Sequence, residues 1–532
     1  MSLQFIIGSS GSGKSCYAYQ NIIEQAGLHP EKLFFVIVPE QFTMQTQKTL
    51  VEMSPGKGIL NIDILSFERL AYRVLEEVGG DSRTLLEETG KSMVLQKMVQ
   101  QHGKELSYLG GQMRKAGYLD EVKSILSEFM QYDIRDSEIQ EMIEDSSDRA
   151  LLQMKLKDVS VLYQAFIGYL KDHYMTGEEV MDALEKALPF SKKMKNSVLL
   201  LDGYTGFTPI QMRVVGELLA VCEKVMVTVT MDATENLSTR GKPYQLFYMS
   251  RQMIHGLSEL TRDIEESILL KDVRKSRFSQ APALHFLEKN IFRYRKNVYK
   301  KKQDEICMFS ATSPLKEMEE TARRIARLVR EKDCRYGEIA VITGNLEEYG
   351  NLAKQVFTAA GIPYFIDEKH TVLMNPFVEY FRAALEMAVQ DFSYESVFRY
   401  LRCGMSCVTR EEADLLENYV LALGIRGFKK WDEVWVRIYR GMPPESIQRL
   451  NEIRERFADE TRELALSFKG GKKTVREYCT ILYEFALKSQ VQQKLKHQEL
   501  KFKEQGDKAM EKEYAQIYGI VMELLDNMVE IL

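Results

Sequence analysis

The chain has 532 residues, of which 45% are hydrophobic and 28% charged, and a formal net charge of −5 at pH 7. The composition excludes a disordered or low-complexity protein, and the length excludes a single core, suggesting roughly three or four domains. The mild acidity excludes a globally basic nucleic-acid binder, so any DNA-binding surface has to be a local patch. The seven cysteines are scattered, and only Cys403 and Cys407 lie close together, with no second pair to complete a metal site. They read as free thiols of a reducing compartment. No basic leader with a cleavage site opens the chain, and no apolar run approaches about 18 residues. The expectation is a cytoplasmic protein with no membrane association.

In chain order, the first element is an apolar run, Phe5-Ile6-Ile7, expected to be a buried strand. It breaks into Gly8-Ser9-Ser10-Gly11-Ser12-Gly13-Lys14-Ser15, the pattern G-x-x-x-x-G-K-[ST], and a helical segment follows over residues 17–26. Glycines let a loop curl so that its N–H groups converge on phosphate oxygens. A lysine at this spacing reaches the β- and γ-phosphates, and the serine hydroxyl is placed for Mg²⁺. The helix N-terminus adds its partial positive charge. An expression linker has the same Gly/Ser content, but it would not sit behind an apolar strand and run into Lys-Ser and a helix. The eight residues are therefore expected to bind a nucleotide, ATP with Mg²⁺.

Gly27 and Pro30 end that helix. Residues 33–38 and 59–65 read as two more strands, and the succession of apolar strand, helix and apolar strand is that of a parallel sheet covered on both faces. From about residue 86 to 188 the pattern changes to amphipathic helices, clearest at 120–131 and 151–170. Strands return at 197–201 and 224–230. The P-loop domain is thus expected to be split, 1–85 and 193–275, by a helical insertion at 86–192. Residues 265–304 are polar and basic, with Lys300–Lys302 and a run of Arg and Lys from Lys271. A solvated linker, placed at 276–304, is favoured there over a DNA patch. A second α/β unit is expected at 305–374, with strands at 306–310, 338–343 and 363–367 and helices at 314–330 and 347–360. A second helical region follows at 375–532. Its last helix, 517–532, lacks a cap or stop signal, so the chain reads as cut off in mid-domain.

A P-loop needs an acidic partner for Mg²⁺ at the end of a neighbouring strand, and Asp202 is the candidate, with a mere strand-end turn as the other reading. Hydrolysing relatives of such sites place a glutamate next, to position water. Here the next residue is Gly203, which predicts a site that holds Mg-nucleotide and turns it over poorly. Three strand-end segments, 39–43, 66–69 and 204–209, each mix an aromatic with polar side chains. They could stack and read a single strand, or they could serve only packing and turn chemistry.

The P-loop together with VPEQFT (38–43), LSFERLA (65–71), LLDGYTGFTP (200–209) and GEIAVITGNLEEY (337–349) resembles the B subunit of the AddAB (RexAB-type) helicase–nuclease. GIPYFIDEK (361–369), NPF (375–377) and LLENYVLALGIRGFKKW (415–431) extend the resemblance over essentially the whole chain. It implies a superfamily 1 helicase-like α/β fold, with two RecA-like P-loop domains carrying large helical insertions. The B subunit is implied to be a non-motor partner of an A subunit that translocates. Together the two process DNA double-strand breaks and recognise Chi for recombinational repair. The resemblance assigns Gln41, Thr43, Phe67, Arg69 and Phe207 to the channel for the single strand. It also implies a later nuclease region with a 4Fe-4S cluster, which the seven cysteines here do not pattern. Thr343-Gly344-Asn345 lacks the arginine of an active motor, and no room precedes Phe5 for an adenine-reading glutamine. An active superfamily 1 motor and a free-standing small-molecule kinase are the alternatives. The kinase would need a carboxylate near the γ-phosphate and an arginine-rich lid, and the sequence offers neither.

Overall fold

Continuous apolar runs become the strands of a sheet covered on both sides. In β1 (Ser2–Gly8) Leu3, Phe5 and Ile7 face one core while Ile6 faces the other. The same alternation divides β2 (Phe34–Ile37), with Phe35 and Ile37 on the first side and Phe34 and Val36 on the second. β3 (Ile62–Leu65) follows, then a short separate parallel pair, β4 (Thr84–Leu86) with β5 (Tyr174–Thr176). β6 (Val198–Leu201), β7 (Lys224–Thr230) and β8 (Ile268–Leu270) complete the main sheet. Its order is β3-β2-β6-β7-β1-β8, and every neighbouring pair is parallel. β2 meets β6 in the register Phe34 with Val198 through Ile37 with Leu201, so the chain leaves the sheet after β3 and returns beside β2.

This computed structural model describes residues 2–79, 83–113, 115–236, 239–272, 276–293, 296–367 and 371–532. Glu368 and Lys369 of the GIPYFIDEK stretch, and Arg274 and Lys275 of the basic run, lie outside the described residues. The chain divides into two units, Met1–Phe309 and Ser310–Leu532. None of the seven cysteines, all among the described residues, forms a disulfide. Among the described residues no helix is long and apolar enough to cross a membrane.

The excursion between β3 and β6 is helical, with helices Glu88–His102, Ala116–Gln131, Asp136–Asp145, Ala150–His173 and Gly177–Ala187. Polar contacts, two of them centred on buried residues, pin it. The Asp158 carboxylate accepts the N–H groups of Ser107, Tyr108 and Leu109 at 2.9, 2.7 and 2.7 Å and the Ser107 hydroxyl at 3.0 Å. Lys91 is buried and donates to Glu88 at 2.8 Å and Glu178 at 2.9 Å. Arg213, on the sheet-covering helix Pro209–Val221, reaches Asp133 at 2.6 Å, Glu185 at 3.1 Å and also Asp182.

The second unit is dominated by helices, among them Pro376–Val389, Tyr394–Arg402, Arg410–Leu423, Ser446–Lys469, Val475–Lys488 and Lys508–Ile531. Their shared core holds Phe377, Tyr380, Tyr400, Trp431 and Phe457. Ahead of them, helices Pro314–Lys332 and Leu346–Ala359 pack through Met318, Ala322, Ile325 and Phe357. The strands expected at 306–310, 338–343 and 363–367 do not form: among the described residues none of these runs pairs in a sheet. A strand exists by its hydrogen-bonded ladder, and here no neighbour supplies one. Several of their apolar residues are open to solvent, Met308, Ile342 and Phe365 being 92, 93 and 88% exposed, while Ile339 and Ile366 are half-buried against the Met318 cluster.

Candidate functional site

The glycine-rich loop leaves β1 at Gly8 and enters the helix Lys14–Leu28, whose N-cap is Gly13. Gly11 and Gly13 adopt φ of +73° and +90°, a region side chains disfavour. The loop closes tightly, with the Ser12 N–H donating to the Ser9 carbonyl at 3.1 Å. A Cβ on Gly8 would fall 2.2 Å from Ser12 Oγ. Ser9 also accepts Lys14 Nζ on its carbonyl at 3.0 Å. Burial lowers the Lys14 pKa, and the carboxylates of Asp202 and Glu288 oppose that shift. Ser12 Oγ is buried and has no hydrogen-bond partner among the described residues. Such a donor fits a phosphate oxygen, so Gly8, Ser9, Ser10, Gly11, Ser12, Gly13, Lys14 and Ser15 form a cradle that could hold an anion.

Asp202 follows β6, two strands from β1, and β7 lies between them. The carboxylate is only 5% exposed. Its Oδ1 accepts Ser15 Oγ at 3.1 Å and Thr228 Oγ1, from β7, at 2.6 Å. Its Oδ2 accepts the Tyr19 hydroxyl at 2.6 Å. Ser15 and Asp202 thus stand together as a Mg²⁺ site would require. Gly203 has φ of +83°, so the position after Asp202 suits glycine on backbone grounds alone.

The stretch read as a solvated linker behaves otherwise over residues 276–293. Arg277 N–H donates to the Gly11 carbonyl at 2.8 Å, and the Phe278 ring lies against Gly11, where a Cβ would meet it at 2.9 Å. Helix Pro282–Asn290 follows, and Arg293 bridges Asp232 at 2.7 Å and Glu288 at 3.3 Å. A cavity of about 70 Å³ opens between the loop serines, Asp232, Phe278, His285 and Lys289. Sequence reading missed these residues, although Pro282 followed by Ala283, Phe286 and Leu287 is a helix-start signal with an apolar face.

The three strand-end segments emerge side by side, because β3, β2 and β6 are adjacent. Gln41 is exposed, whereas Thr43 is buried and donates its hydroxyl to the Glu40 carbonyl at 2.9 Å. Arg69 is exposed and pairs with Glu40 at 2.7 Å. Phe67 is 5% exposed and meets Tyr204 and Phe207 edge-on, with centroids 5.5 and 6.1 Å apart. Phe207 is half-buried. Burial, reinforced by Glu40, raises the Tyr204 phenol. An open cavity of about 450 Å³ runs past Glu40, Phe67, Glu68, Gln131, Tyr204 and Gln211. The structure therefore brings Gln41, Thr43, Phe67, Arg69 and Phe207 to one end of the sheet, with Gln41 and Arg69 accessible and Phe67 in the core.

Comparison with known proteins adds a family. The family model described as "ADDB, N-terminal" matches residues 5–288. A protein of Lachnoclostridium phytofermentans, named as the B subunit of an ATP-dependent helicase/deoxyribonuclease, is 41% identical over 542 aligned positions, which cover 100% of this chain and 47% of that relative. Proteins with the same name from Clostridium novyi and Caldanaerobacter subterraneus are 33 and 34% identical over all of this chain and 46% of theirs. The chain spans about half the length of the curated relatives it matches.

Proposed function

This chain belongs to the AddB family, and from that premise we propose that it serves a heterodimeric ATP-dependent helicase–exonuclease. The complex would process DNA double-strand breaks with an A subunit as motor and recognise Chi. Within it, the first unit is a nucleotide-holding, single-strand-binding scaffold and not itself a motor. The observation that carries the reading is the contact of Ser15 with Asp202 across an intervening strand, beside a loop with an unpartnered Ser12 hydroxyl.

In this role the loop N–H groups, the Ser12 hydroxyl and Lys14 would bind the phosphates of ATP, and Ser15 with Asp202 would hold Mg²⁺. A bound metal would neutralise phosphate charge. Poor turnover is supported at two positions. Gly203, directly after Asp202, cannot polarise water. Asp232, one of the carboxylates that line the adjoining cavity, is engaged by Thr234 N–H at 3.0 Å, Thr234 Oγ1 at 2.8 Å and Arg293 at 2.7 Å. The single strand would pass over the carboxyl ends of β3, β2 and β6, where α/β sheets bind their ligands. Arg69 and Gln41 would meet phosphate and base edges, and the buried Phe67 would support Tyr204 and Phe207 from beneath. The expected nuclease and its 4Fe-4S cluster would belong to sequence beyond the matched half of the relatives.

The test is titration of the chain with a fluorescent single-stranded oligonucleotide at several salt concentrations, for the parent chain and for Arg69→Ala. The reading predicts affinity that falls steeply with salt, and a shallower dependence in the variant. Salt-independent or absent binding would contradict it.

A further inference from the structure

The nucleotide-site reading, on which this inference rests, leaves Tyr19 without a role. Tyr19 lies four residues after Ser15, so both project from the same face of one helix. Its ring is buried in the core beneath the sheet with Ile6, Ile22, Val36 and Leu50. The hydroxyl is the polar exception. It donates to Asp202 Oδ2 at 2.6 Å and touches Thr46 Oγ1 at 3.3 Å, on helix Thr43–Met53. Thr228 holds the other carboxylate oxygen at 2.6 Å.

We infer that Tyr19 is a positioning residue: together with Thr228 it clamps Asp202 so that the carboxylate presents Oδ1 to Ser15 at the place a nucleotide-bound metal would occupy. A carboxylate offers about four lone-pair sites. Two strong hydroxyl donors, one on each oxygen, fix its rotation and leave capacity on the Ser15 side. The longer Ser15 contact of 3.1 Å is the weakest of the three and the easiest to exchange. Phenylalanine at position 19 would serve the ring's packing equally well, so packing alone gives no reason for the hydroxyl. Asp202 is buried, and a donor lost there is not replaced freely by water.

The experiment measures ATP affinity of the intact chain by calorimetry, with Mg²⁺ and with EDTA, for the parent, Tyr19→Phe, Thr228→Val and Thr228→Ser. Melting temperatures are followed alongside as a folding check. The expected result is about a ten-fold weaker affinity in Mg²⁺ for Tyr19→Phe and Thr228→Val. Affinity in EDTA stays unchanged, and Thr228→Ser, which keeps a hydroxyl, stays near the parent. An equal loss in both buffers, no loss, or a change in melting temperature alone would overturn the positioning role. If the parent itself binds no ATP in either buffer, the nucleotide-site reading falls and this inference with it. That outcome is distinct from a parent that binds while the Tyr19 variant shows no Mg²⁺-specific defect.

Discussion

Phe67 is the residue whose substitution separates packing from DNA contact. Its side chain is in the core with Leu70, Ala71 and Val74, and its ring packs edge-on with Tyr204 and Phe207. Phe67→Ala removes a buried aromatic, which costs about 3–5 kcal/mol. Within that total, each aromatic pair contributes about 0.5–1.5 kcal/mol beyond area burial. Phe67→Leu keeps most of the volume and should cost about 1–1.5 kcal/mol. In a urea titration, backbone amide exchange of β3 and β6 should report the loss in Phe67→Ala. Single-strand affinity of Phe67→Leu, measured where it is folded, should fall less than that of Arg69→Ala. Full stability of Phe67→Ala combined with lost DNA binding would refute the assignment of Phe67 to the core.

Removing Lys91 by Lys91→Ala leaves Glu178 without its buried cation and should cost about 2–4 kcal/mol in chemical denaturation, with Lys91→Met/Glu178→Gln recovering part of it. Asp158 yields a pH prediction. Burial raises its pKa, but the N–H bonds from Leu109, Ser107 and Tyr108 outweigh that and hold it below the ordinary carboxylate value. Its contribution is therefore present above about pH 4 and lost as pH falls through the lowered folded value. The stability gap between the parent and Asp158→Asn, read by urea melts, should narrow on acidification through that range. Gly203→Glu places a side chain at φ of +83° and should destabilise the first unit by about 1–2 kcal/mol, so a test of restored hydrolysis in that variant needs its melting temperature beside it.

Five of the six strands of the main sheet were legible because parallel strands buried on both faces are written as unbroken apolar runs, whereas β8, three residues long and only partly buried, was not read from the sequence. β7 occupies the residues that the pattern predicts, and β2 and β6 fall inside their predicted runs. The loop between β1 and the first helix was legible from its glycine spacing. The same apolar-run rule misreads 306–310, 338–343 and 363–367, because periodicity records what a segment could bury and not whether a partner strand is present. Residues 276–293 were misread for the opposite reason. Their polar, basic composition hides one non-local contact, Phe278 on Gly11, and the buried Arg293 pairs. Phe67 carried its own signal, since positions 67, 70, 71 and 74 repeat at helical spacing and mark one buried face. The Tyr19 clamp could have been suspected from its i, i+4 relation to Ser15, but Thr228 comes from a strand that only the folded sheet places beside Asp202.

That the first unit holds nucleotide without acting as a motor is tested most directly by ATP binding and hydrolysis measured in parallel. Both are followed with and without single-stranded DNA, for the parent chain and for Lys14→Ala. The expected result is Mg²⁺-dependent binding that Lys14→Ala weakens by about ten- to a hundred-fold, with negligible turnover in every condition. Robust hydrolysis stimulated by single-stranded DNA in the parent would contradict it, and would mean that a carboxylate other than one following Asp202 activates water.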